Sequence, residues 1–305
     1  MGDTLTDAAW TRLLAFAERA RRLRRATTHG GGIAEADATD LAAAGNELAA
    51  DSDCELASLY LDLIAAIGRG PLSIAQLGQS LDGRIATESG HSQYINGDVS
   101  LDHLHRLRAL ADAVVVGATT VALDNPRLTT RRVRGRSPTR VVIDPRGRLS
   151  ADANVFDASA PSLVITAAVE PAPAAASIPH PAAARGVPVV SLPTIDGRMG
   201  RRMSPAAILV CLRQRGMATV LIEGGANTLS AFLVEGCIDR MLVAVAPMLI
   251  GSGTAAVRLP PIARLDEAIR FTMRPYRLGR EVIFDCVLPP RPDADGRPPG
   301  CPPTR

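Results

Sequence analysis

A chain of 305 residues with 47% hydrophobic content has ample material for one large α/β domain or two small ones, and its net charge of +3 demands no polyanionic partner. All 34 basic side chains are arginine, which excludes Schiff-base and P-loop lysine chemistry; the five cysteines form no C-x-x-C pair, and neither H-x-E nor P-C-x-x-C occurs, which excludes disulfide, metal-site and zinc-deaminase frameworks. No run of 18 apolar residues is present, residues 241–250 being too short and holding Pro247, and MGDTLTDAAWTRLL lacks the charged-then-apolar order of a secretory signal, so a soluble cytoplasmic protein without membrane contact is expected.

Residues 1–25 place Trp10, Leu13, Leu14 and Ala17 at helical spacing, with arginines at 19, 21, 22, 24 and 25. This predicts an amphipathic helix with a solvated basic flank. Residues 27–50, with glycines at 30–32 and many alanines, read as a loose connector or weak helix. A second helix is clearer: Ser52 and Glu55 have capping-box spacing, Leu56, Leu59, Tyr60, Leu63, Ile64 and Ile67 form one stripe, and Gly68, Gly70 and Pro71 end it. Residues 1–70 are therefore expected to be a non-catalytic helical extension, packed on the main domain or across a dimer.

From Pro71 onward, short β-type runs alternate with helical ones. Strands are predicted at 72–78, 113–118, 139–144, 162–167, 187–191, 218–223, 239–247 and 280–288, and helices at 98–110, 204–215 and 226–235, with a weak one at 264–269. The alternation predicts an α/β domain over 71–288 with a mostly parallel sheet and helices on both faces, its last strand entering antiparallel. Residues 168–186 are rich in alanine and proline with little core potential, and 289–305 read as a disordered proline-rich tail.

The strongest motif is VLIEGGANTLSAFL at 220–233. A strand ending in Glu223 meets Gly224 and Gly225, whose missing side chains let the backbone turn close to a ligand, and the following helix presents unpaired N–H groups to an anion. An ordinary strand-to-helix turn would look similar, but a carboxylate just before it sets an acceptor at the carboxyl edge of the sheet, where open α/β folds hold ligands. Downstream, 251–256 fits G-x-G-x-x-A, yet Pro260 and Pro261 interrupt the helix that a Rossmann site requires. In the first half, SLDGRIAT and SGHSQYI are polar turns after a strand; Arg108 stands near a helix end, as a dipole partner or a ligand; and Thr119, Thr120, Asp124, Leu128 and Arg131 follow the strand AVVVGA on a turn redirected by Asn125-Pro126. Two arginines converging from separate elements suit a phosphate monoester. Arginines at 131, 132, 134, 136, 140, 146 and 148 suggest a local field for phosphates, and because no aromatic residue is interleaved, a nucleic-acid surface is disfavoured.

SLDGR, SGHSQYI, LRA, TTVALDNPRLTTR, RVVID, IEGGANTL and APMLIG occur in an order that resembles the reductase domain of the riboflavin-biosynthesis deaminase-reductases, over about residues 72–288. The resemblance implies a dihydrofolate-reductase-like, three-layer α/β/α fold without the deaminase domain, and NADPH-dependent reduction of a ring-opened ribosylaminopyrimidine 5′-phosphate to its ribitylamino form by a homodimer. It also implies site residues. Ser92, Arg108, Leu128, Arg131 and Glu223 would hold the phosphorylated pyrimidine. Gly78, Tyr94, Thr120, Asp124, Gly225, Ala226, Asn227, Thr228, Leu229, Ser230 and Ala231 would hold NADPH. Independently of the resemblance, Arg146 and Arg148 follow the RVVID strand, whose end suits an adenosine 2′-phosphate and favours NADPH over NADH. Glu223 is the catalytic candidate, polarising or protonating the substrate. Two positions depart from the family pattern: Pro145 stands where a serine is common, and Gln76 where many relatives carry lysine. Reduction of another heterocycle such as a dihydropterin, or non-catalytic nucleotide binding, are the competing readings.

Overall fold

A computed structural model describes residues 5–28, 55–92, 95–168, 180–197 and 200–289; the predicted connector from residue 29 on, the Ser52 cap, Tyr94 and the tail from residue 290 on lie outside the described residues. Helices α1 (Asp7–Thr28) and α2 (Glu55–Arg69) precede β1 (Leu72–Ser80), β2 (Arg84–Thr87), α3 (Asp98–Leu110), β3 (Ala113–Gly117), α4 (Ala118–Asp124), β4 (Thr139–Ile143), β5 (Ser162–Ala167) and β6 (Val189–Leu192). A hairpin of β7 (Thr194–Gly197) and β8 (Gly200–Met203) leads to α5 (Pro205–Gln214), β9 (Thr219–Ile222), α6 (Ala226–Val234) and β10 (Arg240–Ala246), followed by β11 (Gly253–Ala255), β12 (Thr272–Leu278) and β13 (Glu281–Val287).

Nine strands form one sheet in the order β12-β13-β10-β1-β9-β3-β4-β5-β6. The seven from β10 to β6 are parallel, while β13 runs antiparallel to β10 and β12 antiparallel to β13. Both faces are covered, so every second residue of a strand goes to a different layer. Val114, Val116, Val142, Val164, Leu221 and Leu242 face a core shared with α1, α2 and α3. Ala113, Val115, Val141, Leu163, Ile165 and Ile222 face the other, shared with α5 and α6. The late strand β9 is inserted between β1 and β3, which brings three strand ends from distant parts of the sequence together.

The basic flank of α1 is solvated only in part: Arg19, Arg22 and Arg25 are exposed, whereas Arg21 and Arg24 turn inward. Arg21 and Arg24 are buried, and their partner is Asp112 at the start of β3. Asp112 accepts from Arg24 Nη2 at 2.9 Å, from Arg136 Nη2 at 2.5 Å and from the Thr219 amide at 2.8 Å. Burial raises its carboxyl pKa, but the Thr219 amide and the charges of Arg24 and Arg136 outweigh that and hold it below the usual range. Arg21 also donates to the Ala109 and Leu110 carbonyls, meeting the unpaired acceptors at the end of α3. Helical periodicity shows which residues share a face, not what that face meets.

Other differences have physical causes. Strand β12 exposes Thr272, Met273, Arg274 and Pro275 on the sheet edge, so it has no continuous apolar run to reveal it. The weak helix expected at 264–269 is a single 3₁₀ turn, Leu265–Glu267. In the stretch read as having little core potential, His180 and Ala182 are buried, with His180 Nε2 against Asp144 Oδ2 at 3.1 Å. Asp124, expected on a turn, ends helix α4.

Two buried histidines on α3 make the fold acid-sensitive. Burial, then the Arg106 charge, lowers the pKa of His103 to about 3, and burial, then the Arg108, Arg131 and Arg132 charges, lowers that of His105 to about 3. Tyr60 Oη lies 2.7 Å from His103 Nδ1. Both imidazoles stay neutral in the folded chain while the unfolded chain protonates them near pH 6.5, so their contribution is complete above about pH 6.5 and is lost as pH falls toward 3. Urea midpoints should drop between pH 7 and pH 5, and His103→Leu should flatten that drop.

Candidate active site

The carboxyl ends of β1, β9 and β3 open into a cleft of about 510 Å³. Gln76, Leu77 and Gly78 of β1, Glu223 to Leu229 after β9, and Gly117, Thr119, Thr120 and Asp124 after β3 line it, with Ser92, Ser100 and Leu104 on one side and Ile85, Ala86, Thr254 and Ala256 over it. That cover is the antiparallel pair of β2 and β11, which absorbs the false G-x-G-x-x-A run. Asp82 of SLDGR fastens the cover, accepting from the Ile250 amide at 3.1 Å and the Gly251 amide at 2.6 Å. The Ser80 hydroxyl first, then those amides, lower the Asp82 carboxyl pKa to about 2. The SLDGR and APMLIG motifs are thus two halves of one clamp.

At the far wall, Arg108 Nε and Nη2 donate to Glu223 Oε1 and Oε2 at 2.8 and 2.6 Å, both side chains being buried. Arg108 Nη1 donates to the Thr129 carbonyl at 3.2 Å. Glu223 therefore meets the cleft as half of a neutral pair, and Arg108 reaches it through Glu223. Arg131 is exposed, within charge range of this pair but not in the cleft lining; partial burial and the Arg108, Arg127 and Arg132 charges lower its pKa, opposed by Glu223. Leu128 is buried in the core with φ 54, a left-handed conformation unusual for a residue with a Cβ, and the same turn holds Asn125 at φ 40.

The other wall is the start of α6. Gly225 is the N-cap of α6 with no side chain capping it, and its own amide donates to Thr120 Oγ1 at 3.1 Å. The first intrahelical bond shown is Leu229 N–H to the Gly225 carbonyl, so the amides of Ala226, Asn227 and Thr228 precede the ladder and face the cleft region. Ser230 turns inward and accepts from the Arg258 amide at 2.8 Å, and Ala231 is half-buried further along the helix. Asp124 stands at the rim, where burial raises its carboxyl pKa. Tyr94 lies outside the described residues.

The arginine-rich run does not make one patch. Arg132 pairs with Asp98 and Asp102, Arg136 with Asp112, and fully buried Arg140 with Asp157, while Arg146 and Arg148 are exposed on the turn after β4. Three contacts around the site could not be read from the motifs, although Thr228 itself was expected there. His105 Nδ1 accepts from the Arg131 amide at 3.0 Å, which fixes the loop carrying Arg131 against α3. Glu281 on β13 holds Asn96, Gly97 and Ser100 at the start of α3. Thr228 wedges between Gly117 and Gly224, where neither position has room for a Cβ. Their signal is spatial, each pairing residues more than 100 positions apart or on separate elements.

A parallel α/β sheet whose carboxyl edge joins an uncapped helix start to a buried arginine–glutamate pair defines an α/β domain with its cleft at the strand ends. The chain belongs to the RibD C-terminal domain family, whose model matches residues 71–279. It is 32% identical over 224 residues to the 2,5-diamino-6-ribosylamino-4(3H)-pyrimidinone 5′-phosphate reductase of Methanothermobacter thermautotrophicus, covering 72% of this chain and 98% of that one. It is 29% identical over 231 residues to the chloroplastic riboflavin biosynthesis protein PYRR of Arabidopsis thaliana, covering 75% of this chain but only 37% of the plant protein. Among solved structures, the diaminohydroxyphosphoribosylaminopyrimidine deaminase/5-amino-6-(5-phosphoribosylamino)uracil reductase of Thermotoga maritima superposes with a TM-score of 0.59 at 25% identity, over 77% of this chain and 62% of that one. The mostly parallel sheet with antiparallel strands at its C-terminal edge is the α/β architecture expected from the sequence. Among the described residues, no helix is long and apolar enough to cross a membrane.

A Cβ at Gly117 would lie 2.5 Å from Thr228 Oγ1. Gly117→Ala should cost about 1–3 kcal/mol by overpacking and weaken dinucleotide binding. Thr228→Ala in the same chain should restore much of both, read by thermal melting and by fluorescence titration with NADPH.

Proposed function

We propose that this chain is an NADPH-dependent reductase converting a ribosylaminopyrimidine 5′-phosphate into its ribitylamino form. The observation that carries the reading is one cleft with an uncapped helix start after Gly224–Gly225 on one wall and the Arg108–Glu223 pair on the other. A reduced nicotinamide supplies the hydride when bound. The chain's own task is placement: the Ala226–Thr228 amides and Thr120 suit a pyrophosphate, Glu223 orients the heterocycle, and Arg131 with Ser92 suits the ribosyl phosphate. Exposed Arg146 and Arg148, at the end of a strand beside the cleft, favour the 2′-phosphate of NADPH over NADH.

Purified chain should oxidise NADPH when given the archaeal relative's diaminopyrimidinone phosphate. Arg131→Ala should raise KM for it about tenfold or more, the loss of one charge-assisted contact, with kcat within about twofold. Arg148→Ala should erode the preference for NADPH over NADH. Unchanged KM in Arg131→Ala would remove that residue from the site, and no oxidation by the wild type would remove the reading.

Self-association of two chains draws support from Leu259, Ile262, Leu265, Ile269, Phe271 and Met273, large apolar side chains exposed along one stretch. Sedimentation velocity should give a dimer, and aspartate at Phe271 and Met273 together should give a monomer.

A further inference from the structure

After β4 the chain turns through residues 144–149 at the carboxyl edge of the sheet. Ile143, the last residue of β4, pairs with Gly117, which lines the cleft, so this turn rises beside the site. Asp144 anchors it at both ends. Its amide donates to the Ile165 carbonyl at 2.9 Å, extending the ladder with β5; its carbonyl accepts from the Gly147 amide at 3.1 Å, and its Oδ2 from the Leu149 amide at 2.9 Å. Arg146 and Arg148 stand on the loop so closed, both exposed and neither in an ion pair among the described residues.

The carboxylate that closes this loop is only 2% exposed, and its side-chain partner is His180. His180 Nδ1 accepts from the Ala182 amide at 3.1 Å, so the ring proton sits on Nε2, which donates to Asp144 Oδ2 at 3.1 Å. The imidazole is itself buried, with the Phe156 ring edge-on at 6.0 Å, and lies against the turn: a Cβ at Gly147 would meet its Cδ2 at 3.6 Å. With both nitrogens engaged, the ring has no lone pair left for a substrate proton, so this histidine–aspartate pair does not act as a base. Its effect is on geometry. The Leu149 amide and His180 Nε2 converge on one buried oxygen, and withdrawing the histidine leaves that oxygen short of a donor and the carboxylate free to turn away from Leu149.

We propose that His180 is a positioning residue for cofactor choice: by fixing Asp144 on the Leu149 amide it presets the loop on which Arg146 and Arg148 meet the 2′-phosphate of NADPH. The inference rests on the 2′-phosphate reading given above. Arginines on a loose loop must order backbone and side chains together on binding, whereas on a closed loop only side-chain freedom is lost. NADH lacks the 2′-phosphate, so its affinity should not depend on how the loop is held.

The test is fluorescence titration of the full chain with NADPH and with NADH. Wild type should bind NADPH at least about tenfold more tightly, through charge-assisted contacts to the phosphate. His180→Phe keeps a ring beside Phe156 and removes the donor. It should cut that ratio about fivefold by weakening NADPH, with the NADH constant within about twofold of wild type. Asp144→Asn, similar in volume and uncharged, should move the ratio the same way, and it decides the matter if melting curves show His180→Phe to be unfolded. A preference present in wild type but unchanged in the folded variant, or equal weakening of both cofactors, overturns the proposal and leaves the 2′-phosphate reading standing. Equal affinity of wild type for the two cofactors, or none for either, overturns that reading and the proposal with it.

Discussion

The paired Arg108 and Glu223 hold the site together. Both side chains are withdrawn from water, and two parallel hydrogen bonds at 2.8 and 2.6 Å are what make that burial tolerable. The geometry permits little slack, so the last turn of α3 must stay at a set distance from the end of β9. The third arginine nitrogen adds the Thr129 carbonyl, and His105, one turn earlier, adds the Arg131 amide. Helix, strand and loop become one rigid wall. Because Gly224 follows Glu223 directly, the same pair also sets where α6 begins, and with it the direction of its free amides.

A similar principle explains residues that look unrelated to the cleft. Asp112 at the opposite end of β3 draws Arg24 of α1, Arg136 and the Thr219 amide to one carboxylate, and Arg21 spans from it to the carbonyls that end α3. The family's match starts at residue 71, yet the core does not. Trp10, Leu13, Leu56, Tyr60 and Ile64 are buried in the same cluster as Val114, Leu221 and Leu242. Helices α1 and α2 therefore close the face of the sheet that carries α3, and through α3 they bear on Arg108.

Several polar groups in and around the cleft are engaged within the chain: Asp82 on the Ile250 and Gly251 amides, Thr120 on the Gly225 amide, Glu223 on Arg108. By contrast, among the described residues Gln76 Oε1 has no hydrogen-bond partner and the start of α6 has no side-chain cap.

Local chemistry was enough to read most of the fold from the amino-acid order. Apolar runs such as AVVVG and TVLI, the Glu55–Arg69 stripe, and the Glu223–Gly224–Gly225 turn each depend on neighbours within a few positions, so periodicity and turn residues reveal them. Edge strand β12 escaped because its outer residues need not be apolar, and α4 because its 7 residues make under two turns, too few to show a repeating stripe. What pairs with what was decided only in three dimensions. Whether Arg21 and Arg24 face water or Asp112, whether Arg108 meets a ligand or Glu223, and whether Gln76 finds a donor all follow from inserting β9 between β1 and β3. Ion pairs and buried acceptors are relations between distant positions, and a charge written in a sequence does not say which partner will share its loss of water.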